Sequence, residues 1–443
     1  MTDLTVIGGG AAGCRAAALA AKEGFSVALI EGGALGGCAF HEGFWPYRRL
    51  LDDVSFIDRA RSGGLGVTAG GERYAEMLER MRAFTESMTG RTRENLTSLG
   101  VDIICSAARV NGLNNNRYSV SAGERVCESR RLLLCMGSLP VIPDLPGVEK
   151  ARRDGFMLTP GELLSARPPG KAVISGGAMH DLRMAAWLAA CGVSVVLLSP
   201  CGRAAAELDD DISVWLSRNM DGVQFVTDAA LASIDAGRVT VSERGGGRVI
   251  ECDMTVIGGR RFPATRGLGL SEAAIATDNG AVITDMTGRA NLPDVYAAGD
   301  VNMRTQTALG AMREAEVCVA NMLGRHESVP YHAMPSVFSG PVHAAAAGQT
   351  EAAAKSMGYR VLTSIGSVCA GKGGRDEGMV KLIADENTGR LLGAHLCGRA
   401  DGADVIWELA AVIEAGCDAF EARRAVTPRS AFAEAAQRAL QKI

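Results

Sequence analysis

The chain has 443 residues, enough for roughly two to four domains. Hydrophobic residues make up 47% and charged residues 22%, a globular composition that argues against a disordered chain. The net charge of −4, with both signs interspersed, gives no electrostatic case for nucleic acid or an anionic membrane. The most apolar stretch, Met184 to Leu198, is too short to cross a bilayer and carries a turn signal at Cys191-Gly192. The start, MTDLTVIGGG, has no basic n-region leading into an apolar h-region, so a cytoplasmic protein without a signal peptide is expected. The 12 cysteines are scattered, with no CxxC or CxxxxC pair, and are read as buried thiols in a reducing compartment with no metal site.

The first unit is LTVIGGGAAGCRAAALAAKEGFSVALIEGG. Its apolar run Leu4 to Ile7, bounded by glycine, predicts a buried parallel strand. Alanine-rich Ala11 to Lys22 predicts a helix stopped at Gly24, and Ser26 to Ile30 a second strand ending in Glu31. Gly8, Gly10 and Gly13 fill a GxGxxG pattern. The first allows the tight turn, the second lets a pyrophosphate approach the backbone, and the third lets helix and strand pack closely. The pyrophosphate then meets the free N–H groups of the helix N-terminus. Glu31 is placed for a ribose hydroxyl pair, and the unit predicts dinucleotide binding.

A second unit, KAVISGGAMHDLRMAAWLAACGVSVVLLSPCGR, starts at Lys171 with the same rhythm and a damaged fingerprint. Its slots hold Ser175, Gly177 and His180, and Ser199 replaces the strand-end acid. Two readings stay open. Ser199 followed by Arg203 suits a 2′-phosphate better than a bare diol, which makes Gly177, Ser199 and Arg203 candidate NAD(P) contacts. Alternatively, His180 puts a side chain where helix and strand nearly touch, and the module binds nicotinamide poorly or not at all.

Between Thr284 and Gly324 an apolar run ends in Ala298-Gly299-Asp300 before another alanine-rich helix, a pattern that suits a polar chain bound at a strand end. From about Tyr331, strand-like runs (Val361 to Ile365, Met379 to Ile383, Leu391 to Leu396) precede helical ones (Ala403 to Ala415, Ser430 to Gln441). Strands followed by helices predict an α+β unit.

In this order, VIGGGAAG, IEGGALGG, LLLCMGSLP, TVIGGRRFP, VYAAGDV and GMVKLIADENTGRLLGAHLCG resemble the landmarks of the pyridine nucleotide–disulfide oxidoreductase family over nearly the whole chain. Dihydrolipoamide dehydrogenase, glutathione reductase and mercuric reductase are its familiar members. The resemblance implies an α/β fold with two Rossmann-like dinucleotide-binding domains, of FAD and NAD(P) type, and a C-terminal α+β dimerisation domain. Expected boundaries are 1–145 and 266–328 for the FAD domain, 146–265 for the NAD(P)-type domain and 329–443 for the dimerisation domain. It also implies FAD, a homodimer, and FAD contacts at Gly8, Gly10, Ala12, Gly13, Glu31, Gly37, Gly137, Asp300 and Ala308. NAD(P)H stays open.

The family's redox loop, GGTCxNxGCxPSK, falls on Gly36 to Arg48 without a gap. Ala39 and Phe44 then stand at the two cysteine positions, and Cys38 at the threonine. Near the C-terminus, Thr427-Pro428 replaces His-Pro and Phe432 the orienting acid. The glutamate that pairs with the lysine after the cysteines becomes Leu182, and that lysine becomes Arg48. Dithiol, base, acid and ion pair serve one reaction, so their joint loss argues against the disulfide relay.

The resemblance puts Cys38, Ala39, His41, Phe44, Trp45 and Arg48 around the vacated pocket. Phe44 and Trp45 stack a planar substrate or fill space. His41 is a proton donor or a hydrogen-bonded surface residue. Arg48 stabilises an anionic reduced flavin or is a solvated helix charge, and Cys38 is a candidate lone nucleophile. The leading expectation is a flavin-dependent oxidoreductase exchanging electrons directly between FAD and a non-disulfide small substrate or a partner protein. Two alternatives are a degenerate FAD-binding scaffold subunit and an NAD(P)H-dependent reductase with an unconventional thiol among Cys14, Cys38, Cys135 and Cys318.

Overall fold

The strand Thr2–Ile7 lies between Val27–Glu31 and Arg125–Leu134, parallel to both, with Leu4 opposite Val27 and Arg131. The structure, a computed structural model, describes residues 2–62, 64, 71–368, 377–399, 402–424 and 430–443. The chain divides into two compact units, 1–46 with 78–142 and 260–329, and 47–77 with 143–259 and 330–443.

The first unit is built on a seven-stranded sheet. Asp102–Cys105, Val27–Glu31, Thr2–Ile7, Arg125–Leu134 and Val295–Ala297 run parallel, and Arg117–Ala122 and Ala108–Asn114 add an antiparallel hairpin. The apolar runs Leu4–Ile7 and Val27–Ile30 are buried throughout, as strands covered on both faces require. The helices Ala11–Lys22 and Ala308–Met322 share one core through Ala12, Ala16 and Ala20 and through Ala311, Ala315 and Cys318. Small side chains let these helices come close, and that brings the glycine fingerprint and the Asp300 turn together. The helix Ala11–Lys22 has the expected limits.

The second unit carries a parallel five-stranded sheet in the order Val223–Val226, Ser194–Leu198, Lys171–Ser175, Met254–Ile257, Met157–Leu158. A separate antiparallel sheet of five strands runs Ser336–Ser339, His343–Gly348, Leu391–Gly398, Gly378–Asp385, Val361–Ser367. The helices Val405–Ala415 and Ala431–Leu440 pack on it through Ile406, Leu409, Ala435 and Ala436.

Three differences from expectation have physical causes. The return to the first unit begins at residue 260 rather than 266, because Arg261–Pro263 pairs with Ser138–Pro140. Residues 143–259 and 330–443 form one unit, tied by Lys381, whose ammonium reaches Asp209 and Asp211 at 2.7 Å. A helix, Glu351–Ser356, stands among the C-terminal strands, started by Thr350, which caps the Ala353 amide. Thr427 and Pro428 lie outside the described residues.

Candidate functional site

Gly8 takes φ +98°, and a side chain there would collide with the Cys135 carbonyl. At Gly13 a Cβ would sit 1.8 Å from the Gly8 carbonyl oxygen, so only glycine lets helix and strand close up. Gly10, by contrast, faces open space. It begins the helix Ala11–Lys22 with no side-chain cap and no acid in the first turn. The first-turn amides are therefore left to an anion.

Glu31 accepts from the amides of Gly9 and Gly33, which fix the carboxylate beside this turn and leave lone pairs for a diol. The following loop folds back onto the turn. The Gly36 amide donates to the Gly9 carbonyl at 2.7 Å, and Gly37 lies so close that a Cβ would be 3.0 Å from the Gly10 Cα.

Asp300 stands at the end of Val295–Ala297, after Gly299 at φ +82°. Ala12 packs against that glycine. The Glu314 carboxylate, buried, accepts from the Gly299 amide at 2.6 Å and from Asn302 at 3.0 Å, which holds the turn. The Ser138 hydroxyl donates to Asp300 Oδ2 at 2.6 Å, and Arg261 Nε donates to Ser138 Oγ at 2.7 Å. Gly137, at φ +71°, faces open space beside them. Ala308 opens the helix Ala308–Met322, whose own end is capped by Thr307. An uncapped helix N-terminus, an acid held for a diol and an anchored Asp300 suit a flavin dinucleotide.

Gly37–His41 forms one short helix and Phe44–Ser62 the next. Cys38 lies in the first unit, and burial pushes its thiol up to about 11 despite Arg261 nearby, against what a nucleophile needs. His41 Nε2 is 3.0 Å from the Leu35 carbonyl oxygen, so one ring nitrogen is already engaged. Phe44 meets Trp45 edge-on at 5.0 Å, and Trp45 leans on Phe84 at 6.3 Å. Trp45 is thus part of a packed aromatic row. Cys14, Cys135 and Cys318 are buried in one core with thiols raised by that burial, as structural cysteines are.

Arg48 belongs to the second unit and is exposed. Ser199 and Arg203 do not form the expected seat for a 2′-phosphate. Ser199 is buried, donates to the Arg203 carbonyl at 2.7 Å and accepts from Cys201 N at 3.3 Å. The Arg203 guanidinium is spent on Asp210 and on the carbonyls of Ala206 and Leu208. His180 does not jam the helix against the strand; it turns toward Tyr47. Leu182 lies fully in the core.

Two residues that no motif flagged dominate this turn. Asp181 Oδ2 accepts from the Ala178 amide at 2.9 Å, and Glu207 Oε1 from the Met179 amide at 2.5 Å. A signal for Asp181 was present, an acid three residues after the helix-start Ala178. Glu207 had none. The residues of this module do not fit a nicotinamide dinucleotide as those of the first fit FAD.

No described helix is long and apolar enough to cross a membrane. Residues 2–315 match the model of the pyridine nucleotide-disulphide oxidoreductases, and residues 334–440 that of the same family's dimerisation domain. The dihydrolipoyl dehydrogenase of Chlamydia trachomatis serovar D is 28% identical over 417 residues, 89% of this chain and 87% of the relative. That of Bacillus subtilis is 27% identical over 435 residues, 94% of this chain and 91% of the relative. LpdA from Mycobacterium tuberculosis superposes with a TM-score of 0.86 at 20% identity, covering 100% and 99% of the two chains. RclA from Escherichia coli, an HOCl-induced flavoprotein disulfide reductase, gives 0.85 at 23% identity, covering 100% of both. At that identity the two structures bear on the fold alone. With both of its family models matched in order over most of its length, the chain belongs to the pyridine nucleotide-disulphide oxidoreductase family.

Proposed function

We propose that this protein is an FAD-dependent oxidoreductase, working as a homodimer, that passes electrons directly between the flavin and a non-disulfide small substrate or partner protein. The observation that carries this is the contrast within one unit. The residues suited to FAD are intact and mutually braced, while Ala39 and Phe44 stand at the relay cysteine positions by the sequence resemblance and Cys38 is a half-buried thiol pushed up by desolvation. The curated relatives are dihydrolipoyl dehydrogenases, and the reading departs from that activity at these positions.

FAD supplies the electron-carrying chemistry when bound. Around it, the chain's residues bind and orient. The amides after Gly10 would receive the pyrophosphate, Glu31 the ribose diol, and Asp300 the ribityl chain and phosphate. Arg261 and Ser138 hold Asp300 in place. Phe44 covers ground that thiols occupy in relatives and keeps water from it. His41, held at one ring nitrogen by Leu35, has the second for moving a proton.

An anaerobic reductive titration of the FAD-loaded protein tests the reading. One electron pair per FAD is expected, with no long-wavelength thiolate-to-flavin absorbance and the same thiol count before and after. Uptake of a second pair, or turnover of dihydrolipoamide, overturns it. Flavin that no substrate or protein donor reduces favours the scaffold instead.

A further inference from the structure

We propose that the second dinucleotide-type module is closed to nicotinamide dinucleotides by two carboxylates of its own, Asp181 and Glu207. They hold the two backbone amides at the helix start that a bound pyrophosphate would need.

In a βαβ fingerprint the pyrophosphate is received by the unpaired amides of the turn and first helical residues. The first module leaves them uncapped after Gly10. In the second, the corresponding helix is Met179–Ala190. Its Ala178 amide is taken by Asp181 Oδ2 and its Met179 amide by Glu207 Oε1. A carboxylate at a helix N-terminus gains from the same dipole and the same donors as a phosphate. A dinucleotide must therefore displace one or both acids from these donors, and Glu207 adds like-charge repulsion.

The space is filled as well as the donors. The Asp181 carboxylate is fully buried, pressed so tightly between Gly176 and Gly258 that a Cβ on either would lie within about 2 Å of it. The segment after Ser199 folds back onto the turn as its counterpart does in the first module, its Ala205 amide donating to the Gly177 carbonyl at 2.6 Å. Ala204, Ala205 and Leu208 of that segment are buried. Two cations near the turn are engaged. Arg203 serves its own loop, and Arg183 donates to the Val337 carbonyl at 2.7 Å with Glu207 and Asp181 as charge neighbours.

The consequence deepens the functional reading above, on which it rests for its meaning. Electrons reach the flavin from a substrate or protein donor rather than from a nicotinamide dinucleotide. Asp181 and Glu207 are the residues that set this choice.

The experiment uses the FAD-loaded protein, so that the first module's helix N-terminus is already occupied. Calorimetric titration with NADH and with NADPH is expected to give no saturable binding up to about 1 mM, and saturation by either below that level overturns the proposal. A second arm titrates inorganic pyrophosphate into Glu207→Ala, where a gain of about tenfold or more over the wild type is expected. An unchanged affinity overturns the assignment. If Glu207→Ala fails to retain FAD or a cooperative melt, Glu207→Gln carries the test. It keeps an acceptor for the Met179 amide without the charge, and a smaller gain is expected. Both arms read binding alone, so their failure is distinct from a failure of the electron count on the flavin.

Discussion

The ring of Tyr47 stands edge-on to the imidazole of His180, with centroids 5.5 Å apart and planes at 84°. By the sequence resemblance Tyr47 falls at the serine of the family's redox loop, while His180 takes the second position of the helix Met179–Ala190, where the first module's helix has Ala12. Two departures that look independent along the chain are thus packed on each other. Tyr47 is fully buried, its hydroxyl donates to the Pro160 carbonyl at 2.7 Å, and its ring also meets Trp187 at 6.1 Å. Replacing either ring alone leaves the other without its partner. A double-mutant cycle of Tyr47→Ser and His180→Ala, read by urea denaturation, is expected to give a coupling of about 0.5–1.5 kcal/mol. Additive losses would mean that the two changes are unrelated.

Asp181 makes stability depend on pH in a stated direction. Burial raises its carboxyl from 3.8 to about 7, with the Ala178 amide pulling the other way and Glu207 adding to the rise. The folded protein therefore keeps a proton that the unfolded chain releases near 3.8. Its contribution to stability is full below that pH and drains away as pH rises through about 7. Asp181→Asn keeps an acceptor for the Ala178 amide and removes the titration. Its melting temperature relative to wild type is expected to climb between about pH 5 and about pH 9. A difference that stays flat over that range refutes the assignment.

The parts of the fold set by local rules were legible in the sequence. Gly8, Gly10 and Gly13 are short-range requirements of one turn, and alanine at Ala12, Ala16 and Ala20 fixes one helix face, so Ala11–Lys22 came out with its limits. The C-terminal strands were visible as cores, but their ends ran further, from Ile365 to Ser367 and from Ile383 to Asp385. These added residues are polar or small and are recruited by pairing rather than by propensity. The closure of the second module was not legible. Glu207 meets Met179 across 28 residues through a loop without periodicity, and a sequence pattern carries no distance of that kind. Lys381 and Asp209 meet across 172 residues for the same reason.

Lys381 is a buried charge at the centre of three carboxylates of the second unit. It is 4% exposed and donates at 2.7 Å to Asp209, Asp211 and Glu351, while the Asp209 amide donates to His395 Nδ1 at 3.2 Å. Lys381→Met leaves the buried Asp209 carboxylate without its counter-ion, and a loss of about 3–5 kcal/mol in urea denaturation at neutral pH is expected. Burial alone would raise the Asp209 carboxyl, but the Lys381 hydrogen bond and the Glu351 amide bring it below 3.8. Hydrogen bonds from Lys355 and Lys381 bring Glu351 below 4.5. This stability is present above the unfolded values and is lost as pH falls through the folded ones. The penalty of Lys381→Met should therefore shrink in acid. A penalty unchanged at about pH 3 would point to lost packing instead of lost charge.

Ser138 and Arg261 are expected to differ in their effect on FAD retention. Arg261 Nε lies 3.7 Å from Asp300 Oδ2, with Ser138 Oγ between them. In Ser138→Ala the guanidinium closes that gap and pairs with Asp300 directly, so FAD affinity should fall by only about fivefold, a direct ion pair offsetting most of the lost hydroxyl bond. Arg261→Met leaves the carboxylate without a cation, and the loss should be about tenfold to a hundredfold, the worth of a charged one. Equilibrium dialysis of FAD against each variant decides the order. A Ser138→Ala loss that exceeds that of Arg261→Met overturns the bracing role given to Arg261.

Cys38 separates direct flavin chemistry from an unconventional thiol. With its thiol pushed up to about 11 by burial, the thiolate is scarce at neutral pH. Cys105 and Cys201 are exposed and serve as internal references. Alkylation of the native protein near pH 8, followed by mass spectrometry, is expected to label those two first. Cys38 should lag by about two orders of magnitude, because burial both hides the sulfur and holds it in the thiol form. Cys38→Ser should accordingly keep the electron uptake of the flavin unchanged. Early labelling of Cys38 together with loss of reducible flavin in Cys38→Ser would give the reaction to the thiol. Slow labelling with intact flavin reduction leaves the flavin as the group that meets the substrate.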